Sequence, residues 1–298
     1  MKNLKKTFVV FLLLASVFQL SAKESVKIRI WRGVDGMKRE KAYLHYYAAK
    51  NPNSEKTPAV IICPGGSYHH LGLSNEGKYP ARWFSSKGVA SFVLEYRVAV
   101  WRRHYPSMMQ DVQRAIQLLR ENASDYGIDA ENIGLIGFSA GGHLVTWAAE
   151  FAERTNELEK IGVHTKVSLK PNWIAPVYPV VSMQDDIYHH WSRKSLLNTK
   201  KPSQEQKDLF SLELQVPENM PPVYLVACRD DPVVMFENSE RLYEALKAKN
   251  ADVTFRSYDE GGHGFGMLEK DFMKKTHWNE ELASWLESRG FLKADENR

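Results

Sequence analysis

Gly137-Phe138-Ser139-Ala140-Gly141-Gly142 is the stretch on which the reading of this chain turns. Residues 133–137 before it form an apolar run that fits a buried strand, and a helix is expected from Gly142 onward. G-x-S-x-G between a strand and a helix marks a sharp, strained turn that lifts the serine hydroxyl above a sheet. The glycines have a steric purpose: side chains two residues either side of Ser139 would collide with the adjoining strand and helix. The same turn aims a helix N-terminus at the serine, where backbone N–H groups favour negative charge. A six-residue match alone also fits an ordinary strand-to-helix turn. Its setting makes Ser139 a candidate nucleophile.

A serine hydroxyl needs a base to take its proton. The chain has 10 histidines, so a histidine alone says little. His263 stands out because it lies in Gly261-Gly262-His263-Gly264-Phe265-Gly266, just after the last expected strand. Flanking glycines let such a loop bend back over the sheet. The base needs an acid to fix its tautomer. Arg229-Asp230-Asp231-Pro232-Val233-Val234 follows the penultimate strand and offers two. Asp231 is the preferred acid, because the turn after it directs its carboxylate toward the histidine loop. Asp230 is then left as a loop-capping or helix-facing residue. Donors for a developing oxyanion are expected from the N–H of Ala140 and from Pro64-Gly65-Gly66-Ser67-Tyr68, with Gly66 and Ser67 as candidates.

Outward from these motifs, the pattern predicts strands over 26–31, 41–49, 59–63, 89–96, 132–138, 173–181, 222–228 and 253–258. Helices are expected over 79–87, 105–122, 143–152, 238–249 and 272–288. Strands and helices alternate from about residue 59 to the end, which implies an α/β fold: a mostly parallel sheet with helices on both faces. Residues 182–217 are more polar and hold Trp191 and the pair His189–His190. They read as a small lid inserted over the carboxyl end of the sheet, or as a structural excursion.

The chain has 298 residues, enough for one large core. Residues 1–22 read as a secretory signal peptide: Lys2, Lys5 and Lys6 precede an apolar run from Phe8 to Phe18, with Ser21 and Ala22 behind it. The run is about half the roughly 20 residues of a spanning helix, which argues against an uncleaved anchor. One catalytic domain is expected over 23–298, exported and free of the membrane after cleavage. Without residues 1–22 the charge is 37 basic against 36 acidic, so nothing suggests nucleic acid or anionic lipid as partner. Cys63 and Cys228 each end a strand-like run and read as buried free thiols, a disulfide being the other option. The His69-His70 and His189-His190 pairs lack the spacing of a metal site, so no metal and no cofactor are expected. Arg97 reads as a structural ion-pair partner, and Asp111 as a carboxylate facing the start of its helix. Tyr68 and Trp191 are candidate stacking surfaces for a sugar ring, or partly buried aromatics.

Taken together, P-G-G-S-Y, G-F-S-A-G-G, D-D-P-V-V and G-G-H-G-F-G over residues 59–290 resemble the α/β-hydrolase superfamily. Within it they resemble the bacterial acetyl-xylan-esterase-like branch, whose members often carry xylanase-like names. Ser67 stands where that branch usually has a third glycine, and Pro64 where the related lipase branch has histidine. The resemblance implies a serine esterase acting on carbohydrate acetyl esters, as small molecules or oligosaccharides. A prolyl-oligopeptidase-like peptidase usually has a large propeller domain ahead of this unit, and fewer than 40 residues separate the expected signal from the core here. A non-catalytic binding protein on the same scaffold usually loses a triad residue. A true xylanase needs two carboxylates flanking the sugar bond, and no such pair stands out.

Overall fold

The computed structural model describes residues 24–52, 55–268 and 271–293. The expected signal segment, 1–22, lies outside them. Among the described residues no helix is long and apolar enough to cross a membrane.

An antiparallel pair comes first, β1 (Val26–Arg29) and β2 (Tyr43–Tyr47). β3 (Thr57–Cys63), α1 (Tyr79–Ser86), β4 (Ala90–Glu95), α2 (Ser107–Glu121), β5 (Ile128–Phe138) and α3 (Ala140–Glu150) follow. Next are β6 (Ile174–Val177), α4 (His190–Leu197), α5 (Gln204–Phe210), β7 (Val223–Cys228), α6 (Glu237–Ala248) and β8 (Val253–Tyr258). The chain ends on α7 (Asp271–Thr276) and α8 (Trp278–Ser288). The strands form one sheet in the order β1-β2-β4-β3-β5-β6-β7-β8, antiparallel at β1, β2 and β4 and parallel from there on.

The two faces of the sheet are read off β3. Ala59, Ile61 and Cys63 join a core with α2, α3 and α6, while Val60 and Ile62 face α1 and α8. Period-two alternation thus fills two separate apolar layers, and both must be covered by helices. Cys63 and Cys228 are free and buried, with β5 and β6 between their strands.

Four local expectations need correction. β6 stops at Val177 rather than 181, because Tyr178 turns into φ 37° and Pro179 has no N–H to give a ladder. The expected C-terminal helix is two, broken at His277 with φ 51°. α3 starts at Ala140, directly after the serine and two residues earlier than read. Asp111 is fully buried rather than facing a helix end: it accepts from Trp31 Nε1 at 2.6 Å, from the Arg97 backbone N–H at 2.7 Å and from Arg97 Nε at 3.0 Å. Residues 182–217 contain α4 and α5, the latter opened by a Ser203–Gln206 capping box. They are tied to the sheet side by Leu212 N–H to Val181 O at 3.2 Å and by Asn238, whose Oδ1 accepts from the N–H groups of Val181 and Ser182.

Candidate active site

Ser139 sits between β5 and α3 with φ 54° and ψ −118°. A non-glycine residue there costs on the order of 1–3 kcal/mol and persists only when its surroundings hold it. They do: its N–H donates to Val177 O at 3.0 Å, and its carbonyl accepts from Val180 at 3.1 Å and His143 at 3.2 Å. The glycine requirement is steric. A Cβ on Gly137 would meet Gly141 O at 2.1 Å, and one on Gly141 would meet Cys63 O at 2.0 Å.

The loops after β7 and β8 bring two more candidates to the serine. His263 Nε2 lies 3.0 Å from Ser139 Oγ, and its Nδ1 lies 2.6 Å from Asp231 Oδ2. Asp231 Oδ1 accepts from the N–H groups of Val233 at 2.8 Å and Val234 at 2.9 Å, so the carboxylate is fixed in orientation. With one ring nitrogen facing a carboxylate, Nδ1 carries the proton and Nε2 presents a lone pair to the serine hydroxyl. Exposure falls along the chain of contacts, from 14% for the His263 side chain to 3% for that of Asp231. Asp230 faces elsewhere. It accepts from Gly262 N–H at 2.8 Å and Gly261 N–H at 3.2 Å, so it caps the histidine loop. Those bonds, the Gly262 one first, hold its carboxyl below the ordinary aspartate value.

The loop after β3 lies against the serine: a Cβ on Gly65 would come within 2.9 Å of Ser139 Cβ. Among the described residues the N–H groups of Gly66 and Ser67 donate to no protein acceptor, whereas that of Gly65 is bound to Glu76 Oε2 at 2.8 Å. Ala140 occupies the first position of α3. Tyr68 is corrected as a stacking surface. Its side chain is 0% exposed and its hydroxyl donates to His143 Nδ1 at 2.8 Å, so no sugar can reach its ring. Trp191 is 53% exposed in the first turn of α4, edge-on to His69 at 6.2 Å between ring centroids.

Four residues that sequence reasoning passed over complete the surroundings. Glu76, in the short helical turn Ser74–Lys78, accepts from Gly65 N–H and, at 2.8 Å, from the Tyr178 hydroxyl. Tyr178 in turn accepts from Gly266 N–H at 3.1 Å, and its ring lies 4.7 Å from that of His263. Burial pushes the Glu76 carboxyl up, against the two donors that favour its charge. Asn75 Nδ2, next in the same turn, donates to Gly264 O at 2.6 Å. The turn therefore holds both the glycine loop after β3 and the histidine loop. His143, on α3, donates through Nε2 to Phe210 O at 2.9 Å, and burial lowers it to about 4. His189, just before α4, is lowered by burial and then by neighbouring His263. Among the described residues no three His, Cys, Asp or Glu side chains cluster as a metal ion would require.

A strained serine on a strand-to-helix turn, topping a mostly parallel eight-stranded sheet, defines an α/β-hydrolase. Residues 44–246 match the BD-FAE family, and the chain belongs to it. Residues 211–294 also match the dienelactone hydrolase family. The chain is 27% identical over 288 residues to an acetylxylan esterase of Xylanibacter ruminicola, covering 95% of this chain and 55% of that protein. It is 30% identical over 235 residues to an endo-1,4-beta-xylanase B of Butyrivibrio fibrisolvens, covering 78% of this chain and 35% of that protein. The chain thus spans between a third and somewhat over half of these curated relatives. Among solved structures it is similar to an acetyl ester-xyloside bifunctional hydrolase from Caldicellulosiruptor lactoaceticus. That match has a TM-score of 0.79 at 29% identity and covers 90% of this chain and 97% of the other.

Proposed function

We propose that this protein is an exported serine esterase that removes acetyl groups from carbohydrate. The observation that carries the reading is the chain of contacts Ser139 Oγ–His263–Asp231, at 3.0 and 2.6 Å. The names of the relatives supply the substrate class, and the composition of residues 1–22 supplies export. Ser139 Oγ attacks the acyl carbonyl carbon as its proton passes to His263 Nε2. The carbonyl oxygen becomes an oxyanion, received by the N–H groups of Ala140, Gly66 and Ser67. The intermediate collapses, the carbon–oxygen bond to the sugar breaks, and the leaving oxygen takes the proton from His263. Water then attacks the acyl-enzyme, giving its proton to His263. That proton returns to Ser139 as acetate leaves. Asp231 stabilises the imidazolium in both halves. Residues 182–217 form a wall of the substrate site, with Trp191 facing the sugar.

The test is hydrolysis of p-nitrophenyl acetate beside acetate release from acetylated xylo-oligosaccharides, with Ser139→Ala as control. Release from both by the wild type, and from neither by the variant, is expected. A folded protein that cleaves only the p-nitrophenyl ester removes the carbohydrate assignment. One that cleaves neither removes the esterase.

A further inference from the structure

A cavity of about 400 Å³ is lined by His69, Trp191, Lys194 and Lys200 among others. His69 belongs to the same turn as Gly66, its N–H donating to Gly66 O at 2.9 Å, so one wall of the cavity comes from the loop that carries two of the proposed oxyanion donors. It shares His104 and Asn198 with a second cavity of about 680 Å³ that continues past Arg102 and Arg103. Through these shared residues the two cavities join as one trough. Its chemistry is one-sided. No Asp or Glu lines either cavity. Arg103 is neutralised by Glu40 at 2.7 Å, but Arg102, Lys194 and Lys200 have no carboxylate partner among the described residues. Lys194 Nζ instead stands 4.9 Å from the centre of the Trp191 ring. An exposed indole beside unpaired ammonium groups suits a ligand with a flat sugar face and a negative charge.

We propose that this trough binds the glycan part of the ester and selects saccharides bearing a carboxylate, that is, uronate-substituted oligosaccharides. Trp191 stacks on a ring and Lys194 and Lys200 meet the carboxylate. The proposal rests on the carbohydrate-ester reading and narrows its substrate class.

Two measurements separate the two claims. The first is the ratio of kcat/KM for an acetylated uronate-bearing xylo-oligosaccharide to that for the neutral chain of equal length. Partly exposed charge pairs support a ratio of about tenfold at low salt, shrinking as salt screens them. In Lys194→Gln/Lys200→Gln it falls to about one. The second is calorimetric binding of the same two saccharides, without their acetyl groups, to the Ser139→Ala protein. A ratio near one in the wild type, or an advantage that survives in the double variant, overturns the proposal. So does equal binding of the two saccharides. If the p-nitrophenyl ester is cleaved and neither acetylated saccharide is, the carbohydrate-ester reading fails. Calorimetry then decides the trough's charge preference independently.

Discussion

Asp231→Asn is an informative perturbation because both oxygens of the native carboxylate are committed. Oδ1 accepts from two backbone N–H groups and Oδ2 from His263 Nδ1. The backbone donors demand an acceptor, so the amide oxygen takes the Oδ1 place and the amide NH2 faces His263 across 2.6 Å. Nδ1 must then accept, and the ring proton moves to Nε2, facing a serine hydroxyl that needs a lone pair there. Turning the amide over restores the tautomer but leaves NH2 against two N–H donors, a loss of about 1–3 kcal/mol for each orphaned group. Either way the charge that stabilised the imidazolium is gone. The expected fall in kcat is about 10³–10⁴-fold, or about 4–5.5 kcal/mol in barrier height. The assay is p-nitrophenyl acetate hydrolysis near neutral pH, with a melting curve to establish that the variant is folded. Asp230→Asn is the partner measurement. Its amide can still accept from one of Gly261 and Gly262, so a fall of about tenfold or less is expected, through looser placement of His263. An Asp231→Asn protein within tenfold of wild type, or one less impaired than Asp230→Asn, refutes the assignment of the acid.

Two further outcomes follow from buried groups. Tyr178→Phe removes the donor to Glu76 and the acceptor for Gly266. We expect kcat to fall about 10- to 100-fold with KM little changed, because loop placement and not substrate contact is lost; a change confined to KM contradicts this. His143, lowered from 6.5 to about 4 by burial, stays neutral in the folded protein while the unfolded chain takes up a proton. Its stabilising effect is therefore complete above about 6.5 and is lost as pH falls toward about 4, a swing of about 3 kcal/mol. His143→Gln should flatten the acid limb of a plot of Tm against pH; parallel plots for variant and wild type would count against the linkage.

The parts of this molecule legible in the sequence were those where one local pattern suffices. β3, residues 133–138 of β5, and β7 are buried on both faces and read as continuous apolar runs, whereas the first residues of β5, with Asp129, Glu131 and Asn132, gave no such signal. The three candidates Ser139, Asp231 and His263 each follow a strand, and loops after parallel strands gather at one end of a sheet. Tyr68 was misread because its neighbours are glycines and a serine, the composition of an exposed turn. Only the distant His143, on α3, shows why the ring is inside. Glu76 and Tyr178 lie 102 positions apart and no spacing rule connects them. A clue to His143 was present, as a lone ionisable residue in an otherwise apolar stretch of α3. His277 breaks the last helix with no proline or glycine to announce it.

The turn Ser74–Lys78 has a consequence for how such enzymes can be recombined. Glu76 grips the loop after β3, and Asn75 and Tyr178 grip the loop after β8, so two loops nearly 200 residues apart in sequence share one anchor. Neither can be transplanted from a related hydrolase as a cassette, since a foreign histidine loop would arrive without the Asn75 and Tyr178 contacts that set its height over the serine. The exchangeable unit is the trio of loop, turn and loop, inherited together or not at all.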